Sequence, residues 1–148
     1  MYLGLLHTHS VLRYAILLLL VIVIIMAISG LAKRRPFSAM DNRMSLFLFI
    51  GAHLQLLIGI ILYIVSYTGG QRVQFNSETM STPALRYFAV EHVTMMLVAI
   101  VLITVGRTGL KKLTADQAKH RRLLIFNTIA LLVIVGTIYG LGRAYNTI

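Results

Sequence analysis

The chain has 148 residues, 58% of them hydrophobic and only 12% charged, with a mean hydropathy of +0.84. A soluble domain carries roughly 25% charged residues, so this composition points to a protein that leaves its apolar surface in lipid. With no cysteine, it excludes disulfides, iron–sulfur clusters, thiolate metal sites and covalently attached haem.

Crossing a bilayer takes about 20 predominantly apolar residues. The first candidate, Tyr14 to Leu31, follows a segment containing His7, His9 and Arg13. No basic n-region or small-residue cleavage site accompanies it, so span 1 is expected to remain in the mature protein. Lys33-Arg34-Arg35-Pro36 then breaks the helix, and Asp41 or Asn42 is placed to cap span 2. Ser45 to Tyr67 is the second apolar run and carries His53 and Gln55. A polar loop from Thr68 to Thr82 closes on Thr82-Pro83, a cap followed by proline at the first helical position. Span 3, Tyr87 to Gly106, is interrupted by Glu91, His92 and two threonines. Thr114 to Gln117 fits a capping box ahead of span 4, whose apolar run is Leu123 to Leu141. The spans are therefore expected at about 8–31, 45–67, 83–107 and 119–141 of a single membrane domain, an up-down-up-down four-helix bundle with spans 1 and 3 diagonal.

In a soluble protein a net charge of +10 would suggest nucleic acid, but here the charge is sorted by loop and no such partner is expected. Lys33, Arg34, Arg35 and Arg43 lie between spans 1 and 2; Arg107, Lys111, Lys112, Lys119, Arg121 and Arg122 lie between spans 3 and 4. Arg13, Arg72, Arg86 and Arg143 are left for the opposite side. By the positive-inside rule the basic loops are cytoplasmic and both termini are non-cytoplasmic, as expected of a multi-pass membrane protein. Tyr63, Tyr67, Tyr87, Tyr139 and Tyr145 gather at the outer ends of the spans as an aromatic belt would.

Ionisable groups at membrane depth are costly and each needs a partner. Counting about 1.5 Å per residue from Leu31, Ser45 and Gly109 puts His9 roughly 33 Å up, Arg13 and Glu91 roughly 27 Å, His92 roughly 26 Å and His53 about 12 Å. Arg13 and Glu91 thus fall at one level and could neutralise each other; alternatively Arg13 snorkels while Glu91 is protonated or faces a water-filled cleft. His9 and His92, on diagonal helices at similar depth, have the arrangement that holds a haem b iron by two axial bonds, with Arg13 or Arg86 available to the propionates. The plainer alternative is two interfacial histidines bonded to their neighbours. His53 could ligate a second cofactor with His120, act as a lone proton relay, or pair with His92. His7 points away from His9, and His120, among Lys119, Arg121 and Arg122, reads as a solvated interfacial group. Met95 and Met96 read as packing, with axial or copper ligation as the alternative. Gly136-x-x-x-Gly140 is a small-residue face for a helix contact, a subunit contact or a flat ring.

The stretches His7-Thr8-His9-Ser10-Val11-Leu12-Arg13-Tyr14, His53-Leu54-Gln55-Leu56-Leu57-Ile58-Gly59 and Val90-Glu91-His92-Val93-Thr94-Met95-Met96 resemble those of small bacterial four-span proteins described as cytochrome b-like. The resemblance runs through almost the whole chain. It implies a membrane protein with non-covalent haem b in electron transfer, with His9, His53 and His92 as the positions of interest. The two-histidine helix of diheme proteins is missing, which favours one haem over two. On this reading His9 and His92 are axial ligands, His53 an alternative ligand, Arg13 and Arg86 propionate or quinone-site partners, and Glu91 a counter-ion or proton acceptor. Electrons would come from a quinol or a partner subunit near the outer face. The competing readings are a cofactor-free accessory subunit, docked in a larger complex or as a homo-oligomer, and a non-haem metal site or transport path built from His9, Glu91, His92 and His53.

Overall fold

In the computed structural model, residues 1–70 and 73–140 are described in full and 141–145 as backbone. Arg72 and the side chains of Arg143 and Tyr145 lie outside the described residues. The described chain is helical: α1 is Tyr2–Ala32, α2 Ala39–Thr68, α3 Ser77–Ser81, α4 Pro83–Lys112 and α5 Asp116–Tyr145. The four long helices are long and apolar enough to cross a membrane. Consecutive spans pack side by side and α5 closes the ring against α1, leaving α1 diagonal to α4 and α2 diagonal to α5.

The helices run longer than their apolar stretches, because polar residues at their ends find local partners. In α1 the first turns include Thr8, whose hydroxyl donates to Gly4 O at 3.0 Å. α2 begins six residues before Ser45. Its cap is Ser38, not Asp41 or Asn42: Ser38 Oγ accepts from Asp41 N at 3.2 Å, and Asp41 accepts from Ser38 N at 2.8 Å, a capping box. The same carboxylate takes a bidentate pair from Arg35 at 2.6 and 2.7 Å, and Arg35 also donates to Met26 O at 3.1 Å, so the α1–α2 turn is tied to both helices. Arg34 takes the left-handed conformation there, φ 50°, which is uncommon for a residue with a Cβ. The expected box at Thr114 to Gln117 does not form. Gln117 instead donates across to Gly30 O and Arg35 O at 3.4 and 3.2 Å, while Lys119 N bonds Ala115 O at the start of α5. The loop before Pro83 contains α3, capped by Asn76 Oδ1 from Thr79 N at 2.8 Å.

Core positions follow a 3-4 spacing on every helix. α1 buries Ile16, Leu20, Val23, Ala27 and Gly30; α2 buries Asp41, Ser45, Leu48 and Ala52; α4 buries Ala99, Ile103, Gly106 and Leu110; α5 buries His120, Leu123, Asn127, Ala130, Ile134 and Thr137. A 3.5-residue repeat keeps one seam facing the neighbours of a left-handed bundle. The many Ala, Gly and Ser residues let backbones approach closely, as they do where lipid removes the hydrophobic drive between helices. Outward positions such as Leu18, Ile25, Leu54, Leu57, Val101 and Leu132 are exposed and meet the bilayer.

Candidate functional site

Toward the end of the bundle that carries the N-terminus, the stripes continue but stop being apolar. On α1 the repeat above Ile16 reaches Arg13 and His9; on α2, above Ala52, it reaches Gln55, Gly59, Leu62 and the buried Ser66; on α4, before Ala99, it reaches Met96 and His92. His9 and His92 therefore meet across the diagonal, with ring centres 6.2 Å apart and planes at 70°. Gln55 Nε2 donates to His9 O at 2.8 Å, and a Cβ on Gly59 would stand 3.3 Å from His9 Cε1, so the missing side chain at Gly59 makes room for the imidazole. Nδ1 of His9 is buried without a partner, and no hydrogen bond reaches the His92 ring among the described residues. A buried polar atom left unpaired costs about 1–3 kcal/mol, and such an atom asks for a missing partner.

His92 is aimed by its own helix. Tyr87–Glu91 forms a π-turn, in which His92 N bonds Tyr87 O five residues back. Fitting one extra residue into a turn shifts the register on either side of it, and such turns cluster at functional sites. Two hydroxyls hold it: Tyr63 donates to Ala89 O and Tyr87 to Thr137 O of α5, each at 2.9 Å. The Tyr87 ring lies 5.8 Å from that of His92. Tyr63 and Tyr87 thus belong to the interior, and Tyr87 is only 3% exposed, whereas Tyr67 and Tyr139 are exposed as belt residues are.

The proposed Arg13–Glu91 pair is absent. With His92 turned inward, its neighbour Glu91 is turned out, and its carboxylate accepts from Arg86 Nε at 3.0 Å, both side chains nearly half exposed. Arg86 also donates to Met80 O at 3.3 Å. Arg13 instead reaches the Tyr14 hydroxyl at 3.2 Å and lies over that ring. Its charge remains within coulombic reach of His9, His92 and Tyr87, which makes Arg13 the cation of the site among the described residues.

His53 does not join the pair. Fourteen residues from the start of a 30-residue helix, it lies near the middle of α2, about 21 Å along it. Its Nδ1 donates to Phe49 O at 2.8 Å and its ring packs 4.2 Å from that of Phe49, which leaves Nε2 as its lone-pair nitrogen. His7 is exposed. His120 is a correction: its 3-4 spacing to Leu123 and Asn127 puts it on the inner stripe of α5, where it is fully buried against Gly30 and the Phe37 ring, with both nitrogens unpartnered. Met95 is exposed and Met96 packs against the core. A Cβ on Gly136 or Gly140 would meet nothing within 4 Å, so among the described residues the small-residue face is not packed closely against another helix. Among the described residues no three His, Asp or Glu side chains converge as a metal cluster, so His9, Glu91, His92 and His53 do not form one site. Gln55, Tyr63, Tyr87 and Thr137 complete the site, and the continuing 3-4 spacing was the sequence signal for Gln55.

Fold and site define a class: a multi-pass membrane four-helix bundle with two facing imidazoles from diagonal helices near one end. No family model, no curated protein and no solved structure matches the chain.

Proposed function

We propose that this chain is a membrane haem b protein in which His9 and His92 are the two axial ligands of a single iron. The observation that carries the reading is the spacing of the two rings. Metal–imidazole bonds of about 2.0–2.1 Å, with roughly 1 Å from each nitrogen to its ring centre, separate the centres of two opposed ligands by about 6 Å, against the 6.2 Å found. A bond to iron would also give an otherwise unbonded imidazole pair its partner. When bound, the haem supplies one-electron transfer; the protein supplies position and charge. Gly59 keeps the space beside His9 open and Gln55 fixes the His9 backbone. Tyr63 and Tyr87 hold the turn that aims His92. Arg13 is the cation available to a propionate, while Arg86 would have to leave Glu91 to serve. Glu91, at the exposed edge of the site, is placed as counter-ion or proton acceptor for a quinol or a partner subunit. The basic loops between α1 and α2 and between α4 and α5 favour an orientation with that end cytoplasmic and the histidine pair toward the outer face of a bacterial inner membrane.

A reduced-minus-oxidised absorption spectrum of the detergent-purified protein tests this. The wild type and His53→Ala are expected to carry one b-type haem per chain, and His9→Ala and His92→Ala each to lose the low-spin spectrum. Folded protein without porphyrin, or a spectrum unchanged when both histidines are replaced, would overturn it. The open faces of Gly136 and Gly140 favour the second reading, an accessory subunit without cofactor; it gives the colourless result together with co-purifying membrane partners.

A further inference from the structure

At the basic end, opposite the histidine pair, a cavity of about 600 Å³ opens between α2 and α4. Three cations line it: Arg107 and Lys111 from the end of α4 and Lys119 from the first turn of α5. The first turn of α2 also faces it through Ala39, and the leading N–H groups of a helix favour negative charge. The nearby carboxylates cancel only part of this charge: Asp41 is held by Arg35 and Asp116 pairs with Lys119 at 3.9 Å, which leaves Arg107 and Lys111 without a carboxylate partner among the described residues. Arg107 is oriented rather than neutralised, donating to Asn42 Oδ1 at 2.6 Å. Below the cations the wall turns apolar with Leu46 and Phe49, and the α2 surface continues through exposed Phe47 and Ile50 to the face that meets lipid. α2 against α4 is also the loosest of the four helix seams in the ring.

We propose that this cavity seats the phosphate of an anionic phospholipid headgroup, with Arg107, Lys111 and Lys119 on the phosphate and an acyl chain lying along Leu46 and Phe49. Basic pockets between transmembrane helices take such headgroups, and arginine matches phosphate geometry. The cations alone would suit free phosphate; the apolar wall below them selects a ligand that continues into the bilayer.

The test is native mass spectrometry of the full chain in detergent, with phosphatidylglycerol, phosphatidylcholine or inorganic phosphate added. Wild-type protein should retain phosphatidylglycerol at least tenfold over phosphatidylcholine. Each cation at a membrane surface is worth about fivefold in affinity, so Lys111→Gln should lose roughly fivefold and the Arg107→Gln/Lys111→Gln/Lys119→Gln variant nearly all of the preference. The control Lys33→Gln/Arg34→Gln, which removes two charges from the exposed α1–α2 turn, should keep it. Lys111 is exposed and makes no bond that holds the fold, so its single substitution decides the matter even if the triple variant misfolds. Equal retention of the two lipids, equal loss in the Lys33/Arg34 control, or displacement of lipid by micromolar inorganic phosphate would overturn the proposal, the last in favour of a free-anion site.

Discussion

Replacing Gly30 by alanine puts a methyl group where the His120 imidazole lies, since a Cβ built on Gly30 overlaps three atoms of that ring. The ring has little room to retreat: it is fully buried, with the Phe37 ring 5.3 Å away on another side. Forcing an extra carbon into a filled interior costs about 1–3 kcal/mol. Replacing a helical glycine returns roughly 0.5–1 kcal/mol of backbone entropy. The net loss is about 0–2.5 kcal/mol, and at about 2–4 °C per kcal/mol for a chain of this size the thermal midpoint in detergent should fall by up to roughly 10 °C. His120→Ala removes the obstacle, so Gly30→Ala in that background should cost nothing or stabilise slightly, a coupling of about 1–3 kcal/mol. Gly136→Ala, with open space around its Cβ, is the matched control and should be neutral or stabilising. His120→Leu removes two unpartnered buried nitrogens at similar volume and should be neutral to stabilising. Equal cost of Gly30→Ala with and without the imidazole would refute the packing argument.

Gly59→Val should act on the site more than on the fold: the added carbons press on His9 Cε1, so haem retention or the reduced spectrum should change while the melting midpoint falls by only a few degrees, about 1 kcal/mol. An unchanged spectrum in haem-loaded protein would mean that Gly59 does not cradle the ligand. Tyr87→Phe deletes the hydroxyl bond to Thr137 O and is expected to cost about 0.5–1.5 kcal/mol, read as a drop in melting midpoint without loss of helix by circular dichroism. Asp41→Ala removes the carboxylate half of the α2 capping box and the bidentate partner of Arg35 while the Ser38 Oγ bond to the backbone of residue 41 remains; a loss of about 1.5–3 kcal/mol is expected, dominated by the bonds to the charged Arg35, and a value near zero would show that the turn is held by other contacts. Because the chain has no cysteine, Thr114→Cys and Ser77→Cys can be labelled selectively: in intact cells a membrane-impermeant maleimide should reach Cys at 77 and spare Cys at 114, and the opposite pattern would reverse the orientation.

The length of the apolar runs and the sorting of charge determined the four spans and their order, because lipid tolerates only self-satisfied helices of bilayer length. The inner face of each helix is legible too in its 3-4 spacing: His9, Gln55, Gly59, His92 and His120 all lie on these stripes. Element ends were less legible. The sequence offers several capping candidates, and Ser38 prevails at α2 because Arg35 draws Asp41 into both roles, a choice that depends on the α1–α2 turn. The charged neighbours of His120 point to a solvated group, whereas packing against Gly30 buries it. Only the tertiary structure decided the partners. The π-turn before His92 turns that ring toward His9 and sends Glu91 out to Arg86, and no local pattern records a turn that is held by Tyr63 of α2 and Thr137 of α5. The spans follow from each segment's own balance with lipid, whereas the pairing of side chains follows from which helices become neighbours.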